Sequence, residues 1–238
     1  MSLYYDFHIH TALSPCGDDD MTPNNIINMA ALKGLDAIAI TDHNCALNVR
    51  ACCECGKAAG LIVVPGMEVE TSEEVHVVCL FDDVDKAEKF GEYVSGHIPP
   101  IKNRIDIFGE QYVLNSDDEI IKTVDNLLST ATTIDIYSLV SAVKEYGGIA
   151  IPAHVDKSSY SIISNLGFIP EDLLFSTLEV KMPEKILDVQ KVVNTEGYHI
   201  IHDSDAHFLW DISERIYHLD TCADSAGEII DYLKRKPI

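Results

Sequence analysis

Tyr5–Asp20 reads YDFHIHTALSPCGDDD. An apolar run carries two histidines one residue apart, then ends in three consecutive aspartates. Period-two alternation puts His8 and His10 on one face of a strand. Either each ring is satisfied by hydrogen bonds in a core, or the two are donors aimed at something that other segments help to hold. The rest of the chain decides.

The chain has 238 residues, 47% of them hydrophobic, which fits one α/β barrel with a large core. No stretch is long enough to span a bilayer, and Met1-Ser2-Leu3-Tyr4 has no signal-peptide character, so no membrane partner and a cytoplasmic location are expected. Seven cysteines at irregular spacing point to reduced thiols rather than a disulfide framework. Seventeen basic against 39 acidic residues give a net charge of −22. Such a surface repels phosphate backbones, so a long nucleic acid is not expected as partner, whereas a small anion held by metals is compatible with it.

Short apolar strands alternate with helical patterns, the mark of a parallel barrel or doubly wound sheet. Strands are expected near Tyr4–His8, Ala37–Thr41, Leu61–Met67, Val75–Phe81, Gly148–Ala153, Ser176–Val180 and His199–His202, with a further short one at Ile216–Leu219. Thr22 and Pro23 start a helix that Gly34 ends. Helices are also expected over Ala46–Ala59, Ile136–Tyr146 capped by Asp135, Glu184–Thr195 and Ala226–Arg235. Residues 82–133 break the rhythm with a helix over Lys86–Val94, the Pro99-Pro100 break and a hairpin around Gln111–Glu119. This stretch reads as an insertion on a single domain spanning 1–238, placed as a cap over the site.

Six of the ten histidines fall at strand boundaries, most with a carboxylate within two residues. The first strand ends in His8 and His10, the second in Asp42 and His43, the third in Glu68 and Glu70. The fourth opens with His76, the fifth ends in His154 and Asp156, and the last in Asp203, Asp205 and His207. A lone histidine at a strand end is more often structural; repetition at successive ends is what carries weight. In parallel α/β barrels these ends meet on one face. Imidazole with carboxylate suits zinc, iron or manganese, and the number of donors exceeds what one ion needs. Two or three ions would use them, turning bound water into hydroxide and stabilising both oxygens of a phosphoryl displacement.

The motifs DFHIHT, ITDHN, PGMEVE, AHVD and SDAH, in this order between residues 6 and 207, resemble the PHP (polymerase and histidinol phosphatase) family. The resemblance implies a distorted seven-stranded α/β barrel with a two- or three-metal centre at its mouth and phosphoester hydrolysis. Carried over by position, His8, His10, Glu68 and Asp205 would bind one ion. Glu68, His76 and His154 would bind a second, with Glu68 bridging. His43 and His207 would bind a third, joined by a residue of the first loop. The family usually has HT, two residues, then SDG; here Pro15 follows Ser14 and the aspartate is displaced. Counting back from Thr22-Pro23 selects Asp18, with Asp19 and Asp20 behind it. His76 opens its strand rather than ending it, so that strand must run antiparallel to reach the mouth.

The expected function is therefore a metal-dependent phosphatase or phosphodiesterase acting on a small phosphorylated metabolite or nucleotide. A metal-bridging hydroxide would attack phosphorus, with Asp42, His43 or His207 moving the proton. Arg50, Lys157, Ser158 and Lys181 follow ligand-bearing strand ends and are the candidates for phosphate. Glu70 reads as a partner for a ligating histidine. Cys52-Cys53-Glu54-Cys55 lies in a helical pattern and reads as packing, as does Trp210. An amidohydrolase-type C–N hydrolase also uses His-x-His on a first strand, but Glu68 in the bridging position favours phosphoester chemistry. A non-catalytic metal-binding regulatory module is the third alternative.

Overall fold

The computed structural model describes residues 2–237. Its strands are β1 (Leu3–Ile9), β2 (Ala37–Ile40), β3 (Ile62–Glu70), β4 (His76–Leu80), β5 (Tyr112–Leu114), β6 (Ile120–Thr123), β7 (Ile149–Pro152), β8 (Thr177–Glu179), β9 (His199–Ile201) and β10 (His218–Leu219). Its helices are α1 (Pro23–Leu32), α2 (Val49–Ala59), α3 (Val84–Ser95), α4 (Ile105–Phe108), α5 (Ile136–Glu145), α6 (Ile162–Leu166), α7 (Ile186–Gln190) and α8 (Ala226–Lys234). No helix among the described residues is long and apolar enough to cross a membrane.

A mixed six-stranded sheet in the order β10-β1-β2-β3-β4-β7 organises the chain. β1, β2 and β3 run parallel, while β4 is antiparallel to both β3 and β7. The antiparallel turn does what the position of His76 demands: it pairs His76 with Glu70 and returns the ring to the rim where β1–β3 end. β8 and β9 form a separate parallel pair rather than extending one seven-stranded ladder. A few bonds tie the segments that follow to the sheet, one side to the end of β7 and the other to the end of β1 beyond its pairing with β10. Val155 N–H donates to Glu179 O (2.9 Å), and Ala206 bridges β1 through His8 O (3.1 Å) and His10 N–H (3.0 Å).

Local chemistry explains the helix ends. Thr22 accepts from Asn25 N–H with Pro23 in the first turn, and Asp135 caps α5 by accepting from Tyr137 and Ser138 N–H. α2 begins at Val49, three residues later than its pattern suggests. Asn48 is not free to cap, because its amide is bonded to Thr11 Oγ1, Tyr112 O and Leu114 N–H. The helix expected over Glu184–Thr195 is only a 3-10 turn at Pro183–Lys185 followed by α7; the β-branched Val192-Val193 and Asn194 that follow are poor helix formers.

The stretch 82–133 packs in two parts. α3 buries Ala87, Phe90 and Val94 in the main core against β3. The remainder, with α4 and the β5–β6 hairpin, packs a small cluster of Leu13, Cys45, Val113 and Leu128 over the first loop.

Candidate metal centre

Glu68, buried at the end of β3, is the hub of the mouth. Oε1 lies 3.3 Å from His8 Nε2, 2.9 Å from His76 Nδ1 and 3.2 Å from His154 Nε2. Oε2 lies 3.5 Å from His10 Nε2 and 3.0 Å from His43 Nδ1. Asp205 closes the other side, its Oδ1 3.6 Å from His8 Nε2 and 3.4 Å from His10 Nε2. Each donor arrives by its local fold: His8 and His10 by strand alternation, His43 by a parallel bridge to Glu68, His76 by the β3–β4 turn. His154 and Asp205 take positive φ values of 31° and 52°, a strained conformation that cores seldom retain without a reason.

The donors fit cations better than they fit one another. His43 Nδ1, Glu68 Oε2 and His154 Nδ1 are buried without a hydrogen-bond partner, although the first two are only 3.0 Å apart. His8 and His10 meet Nε2 to Nε2 at 3.2 Å. Their outer nitrogens are occupied. His8 Nδ1 lies 2.8 Å from Glu179 Oε2, and His10 Nδ1 3.0 Å from Ser14 Oγ. The Ser14 hydroxyl donates to Asp42 Oδ1 (2.7 Å), so toward His10 it can only accept. Both outer contacts therefore place N–H outward and leave the Nε2 lone pairs turned inward. Donor atoms lie within 4.8 Å of one another in three groups: His8, His10 and Glu68; His43, Glu68 and His76; and His10, Cys16, His43 and His207.

The electrostatics follow from this crowding. Burial alone would raise Glu68, but His76, His8, His154 and His43 hold its carboxyl well below the carboxylate range. Burial opposes charge on His8, yet Glu179, Glu68 and Asp205 outweigh it and raise its pKa. His10 goes the other way, lowered by burial and by His207 and His43. Burial pushes the Cys16 thiol up, but hydrogen bonds with His207 and His43 bring it down to about 6.

Not every candidate lies here. Asp18 turns its carboxylate to Asp20 N–H (2.9 Å) and belongs to none of the donor groups, and Asp19 and Asp20 are exposed. The first-loop residue that does fall within a donor group is Cys16. Asp42 is fully buried, its oxygens taken by Thr11 N–H, Thr11 Oγ1 and Ser14 Oγ, each at 2.7 Å. Both oxygens are engaged by the first loop, and Ser14 links the carboxylate to His10. Arg50 forks onto Glu88 and Asp85 between α2 and α3, so the charge is spent there rather than on phosphate. Lys157 and Lys181 both reach Asp205 Oδ2, at 2.5 and 3.0 Å, and Ser158 is exposed beside them. Glu70 Oε2 stands 3.8 Å from His76 Nε2. Cys52 and Cys55 are buried along α2 as packing groups, whereas Trp210 is 75% exposed rather than packed. Glu179, which contacts the outer nitrogen of His8, is a residue the sequence patterns miss. The available signal is its place at the same end of its strand as the other donors. A cavity of about 530 Å³ opens from the donors past Phe108, Thr130 and Tyr160.

Comparison with known proteins agrees with this architecture. A protein of Methanocaldococcus jannaschii described as uncharacterized is 36% identical over 90 residues, covering 34% of this chain and 53% of that protein. The 5'-3' exoribonuclease Rnm of Salmonella typhimurium is 32% identical over 88 residues, 35% of this chain and 29% of the relative. Phosphoribosyl 1,2-cyclic phosphate 1,2-diphosphodiesterase of Eggerthella lenta is 31% identical over 80 residues, 32% and 29% respectively. The chain thus spans about half or less of the length of these relatives. Among solved structures, the lesion-specific endonuclease PfuEndoQ of Pyrococcus furiosus superposes with a TM-score of 0.65 at 17% identity, over 98% of this chain and 56% of that one. A putative metal-dependent phosphoesterase of Bifidobacterium adolescentis gives 0.60 at 16% identity, over 98% and 97%. The family model described as PHP domain matches residues 6–165, which carry His8 through His154. With a match over most of its length and the donors gathered as described, the chain belongs to the PHP domain family.

Proposed function

We propose that this chain is a metal-dependent phosphoesterase acting on a small phosphorylated metabolite, a nucleotide or a nucleic-acid end. The observation that carries the reading is the convergence of five histidines on Glu68, with two ammonium groups alongside on Asp205. His8, His10, Glu68 and Asp205 would hold one divalent ion; Glu68, His76 and His154 a second; His43 and His207 a third with a donor from the first loop. Two or three ions of zinc, manganese or iron fit such donors. When bound, they activate water and neutralise charge on the phosphoryl group.

The remaining work falls to the chain. Lys157 and Lys181 bind phosphate oxygens, and Ser158 offers a hydroxyl beside them. Where no third ion engages them, His207, half-buried, and His43 are the rings that would move a proton at the leaving oxygen. Glu179, Ser14 and Asp42 hold rings rather than protons. The bonds that tie the β8–β9 region to the ends of β7 and β1 support a barrel closed over seven strands. The whole chain then serves as one domain, with 82–133, α3 apart, standing over the mouth.

Net charge does not set nucleic acid aside. The charge of −22 is an average over the molecule, whereas the mouth presents two lysines and a set of cation donors. The exoribonuclease relative favours including RNA ends in the substrate class.

The test is phosphate release from nucleotides, nucleoside bisphosphates and sugar phosphates, with cleavage of diesters and 5'-phosphorylated RNA in parallel. Each is run with added Mn²⁺, with chelator, and with His8→Ala and His154→Ala. Hydrolysis that needs both metal and these histidines is the expected result. Silence on every phosphoester from metal-loaded protein, or full activity in both variants, overturns the reading.

A further inference from the structure

The loop between β1 and α1 is drawn tightly around Cys16. Ser14 N–H donates to Thr11 O (3.1 Å), Gly17 N–H to Ser14 O (2.8 Å), and Asp18 N–H to His207 O (2.9 Å). Two successive turns are thus pinned to the segment that carries His207. A Cβ at Gly17 would stand 2.4 Å from the Thr11 carbonyl oxygen, so only glycine lets the backbone fold back this closely. The loop is shaped to bring the Cys16 side chain to the mouth. Its Sγ meets ring nitrogens of His10, His43 and His207, all four donor atoms within 4.8 Å of one another.

His10 and His43 also belong to the groups around Glu68, whereas Cys16 and His207 occur in this group alone. His10 and His43 are buried, and His43 keeps Nδ1 without a hydrogen bond. A sulfur with three imidazole nitrogens is a borderline-soft, four-donor set of the kind that takes zinc or ferrous iron. The Glu68 groups offer nitrogen and oxygen only, which manganese accepts equally well.

We propose that Cys16, as thiolate, is a ligand of a cation site completed by His10, His43 and His207, chemically distinct from the carboxylate-bridged sites around Glu68 and selective for zinc or ferrous iron over manganese. It rests on the metal-centre reading above only in taking the mouth to hold cations. Binding forms one sulfur–metal and three nitrogen–metal bonds, and any proton still held by the thiol or by a coordinating ring nitrogen passes to solvent.

Cobalt(II) titration of the metal-free protein tests this. Wild type is expected to show thiolate-to-cobalt charge-transfer absorption in the near ultraviolet. The band should be lost in Cys16→Ser and Cys16→Asp and kept in Cys222→Ser. Bound cobalt should fall in Cys16→Ser, while Cys16→Asp keeps the ion without the band. An undiminished band in Cys16→Ser, or full cobalt binding by wild type with no band, overturns the proposal. A second measurement needs no substitution: alkylation of Cys16, read by peptide mass spectrometry, should slow about tenfold or more with zinc, because a coordinated thiolate is not free to attack. Equal rates with and without bound zinc overturn it as well. Neither readout involves turnover. A negative result leaves the phosphoesterase reading standing, and loss of hydrolysis with the band intact counts against that reading alone.

Discussion

His8 Nδ1 stands 2.8 Å from Glu179 Oε2, with both side chains closed to solvent. The carboxylate fixes which nitrogen of His8 carries the proton and keeps Nε2 free on the side of Glu68 and Asp205. Outer partners of this kind are worth about 10–100-fold in metal affinity or activity. Glu179→Ala is expected to lose that much metal affinity in competition with a chromophoric chelator. Glu179→Gln keeps an amide oxygen for the ring and should lose less. Unchanged affinity in both would remove Glu179 from the site.

Asp42, Ser14 and His10 form a chain in which the serine hydroxyl donates to the carboxylate and accepts from the ring. Ser14→Ala leaves His10 Nδ1 and the His43 N–H without partners in a closed interior and removes one of the two donors on Asp42 Oδ1. The expected cost is about 1–3 kcal/mol, read from the urea midpoint of the metal-free protein. Asp42→Asn should lower activity without moving the pH–rate profile, because Asp42 positions rather than exchanges a proton. A displaced limb of that profile would restore it as an acid or base.

Lys157 and Lys181 share one oxygen of Asp205 and are each about a third exposed, so both can turn to an incoming anion. Lys157→Ala and Lys181→Ala are expected to raise KM more than they lower kcat for a phosphoester substrate. Arg50→Ala, whose guanidinium is committed to Asp85 and Glu88, should leave both constants near wild type.

Phe90 of α3 is fully buried and packs on Phe81 at 5.0 Å between ring centroids. Truncation at such a site costs about 3–5 kcal/mol, and Phe90→Ala should lower stability by that amount in a single cooperative transition. A local, separate transition would mean that α3 belongs to an appended unit instead of the core.

Burial pushes the thiols of Cys45 and Cys53 up to about 12, which leaves only about one molecule in 10⁵ as thiolate at pH 7. Brief alkylation of the folded, metal-free protein is expected to modify Cys16 and the exposed Cys222 and to spare Cys45, Cys52, Cys53 and Cys79. Peptide mapping reads the outcome directly.

Much of the mouth is legible in the sequence because strand periodicity and position are local signals. His8 and His10 share a face by alternation alone, and His43, Glu68 and His154 stand where parallel strands end. His76 is legible too, once the short return from Thr71 to Val75 is read as an antiparallel turn. What escapes depends on contacts no local pattern encodes. Glu179 is one acidic residue among 39 until the outer nitrogen of His8 is seen to face it. Asp18, two residues from the thiol, has the right chemistry but is spent on its own turn, and Cys16 is presented instead because Gly17 can close the backbone behind it. Arg50 follows a ligand-bearing strand end by sequence, yet α2 carries it to the acidic face of α3. The sheet order is legible in its parallel half and not at β8–β9, where single bonds replace a ladder.

The parallel bridge between Ile9 and Ala206 sets the order of events in making this protein. The donors it aligns, His8 and His10 on one side and Asp205 and His207 on the other, lie almost a full chain length apart. During synthesis the first strand leaves the ribosome long before the segment that completes its half of the centre. The complete donor set therefore exists only once the segment that carries Asp205 and His207 has been made and has docked on the first strand.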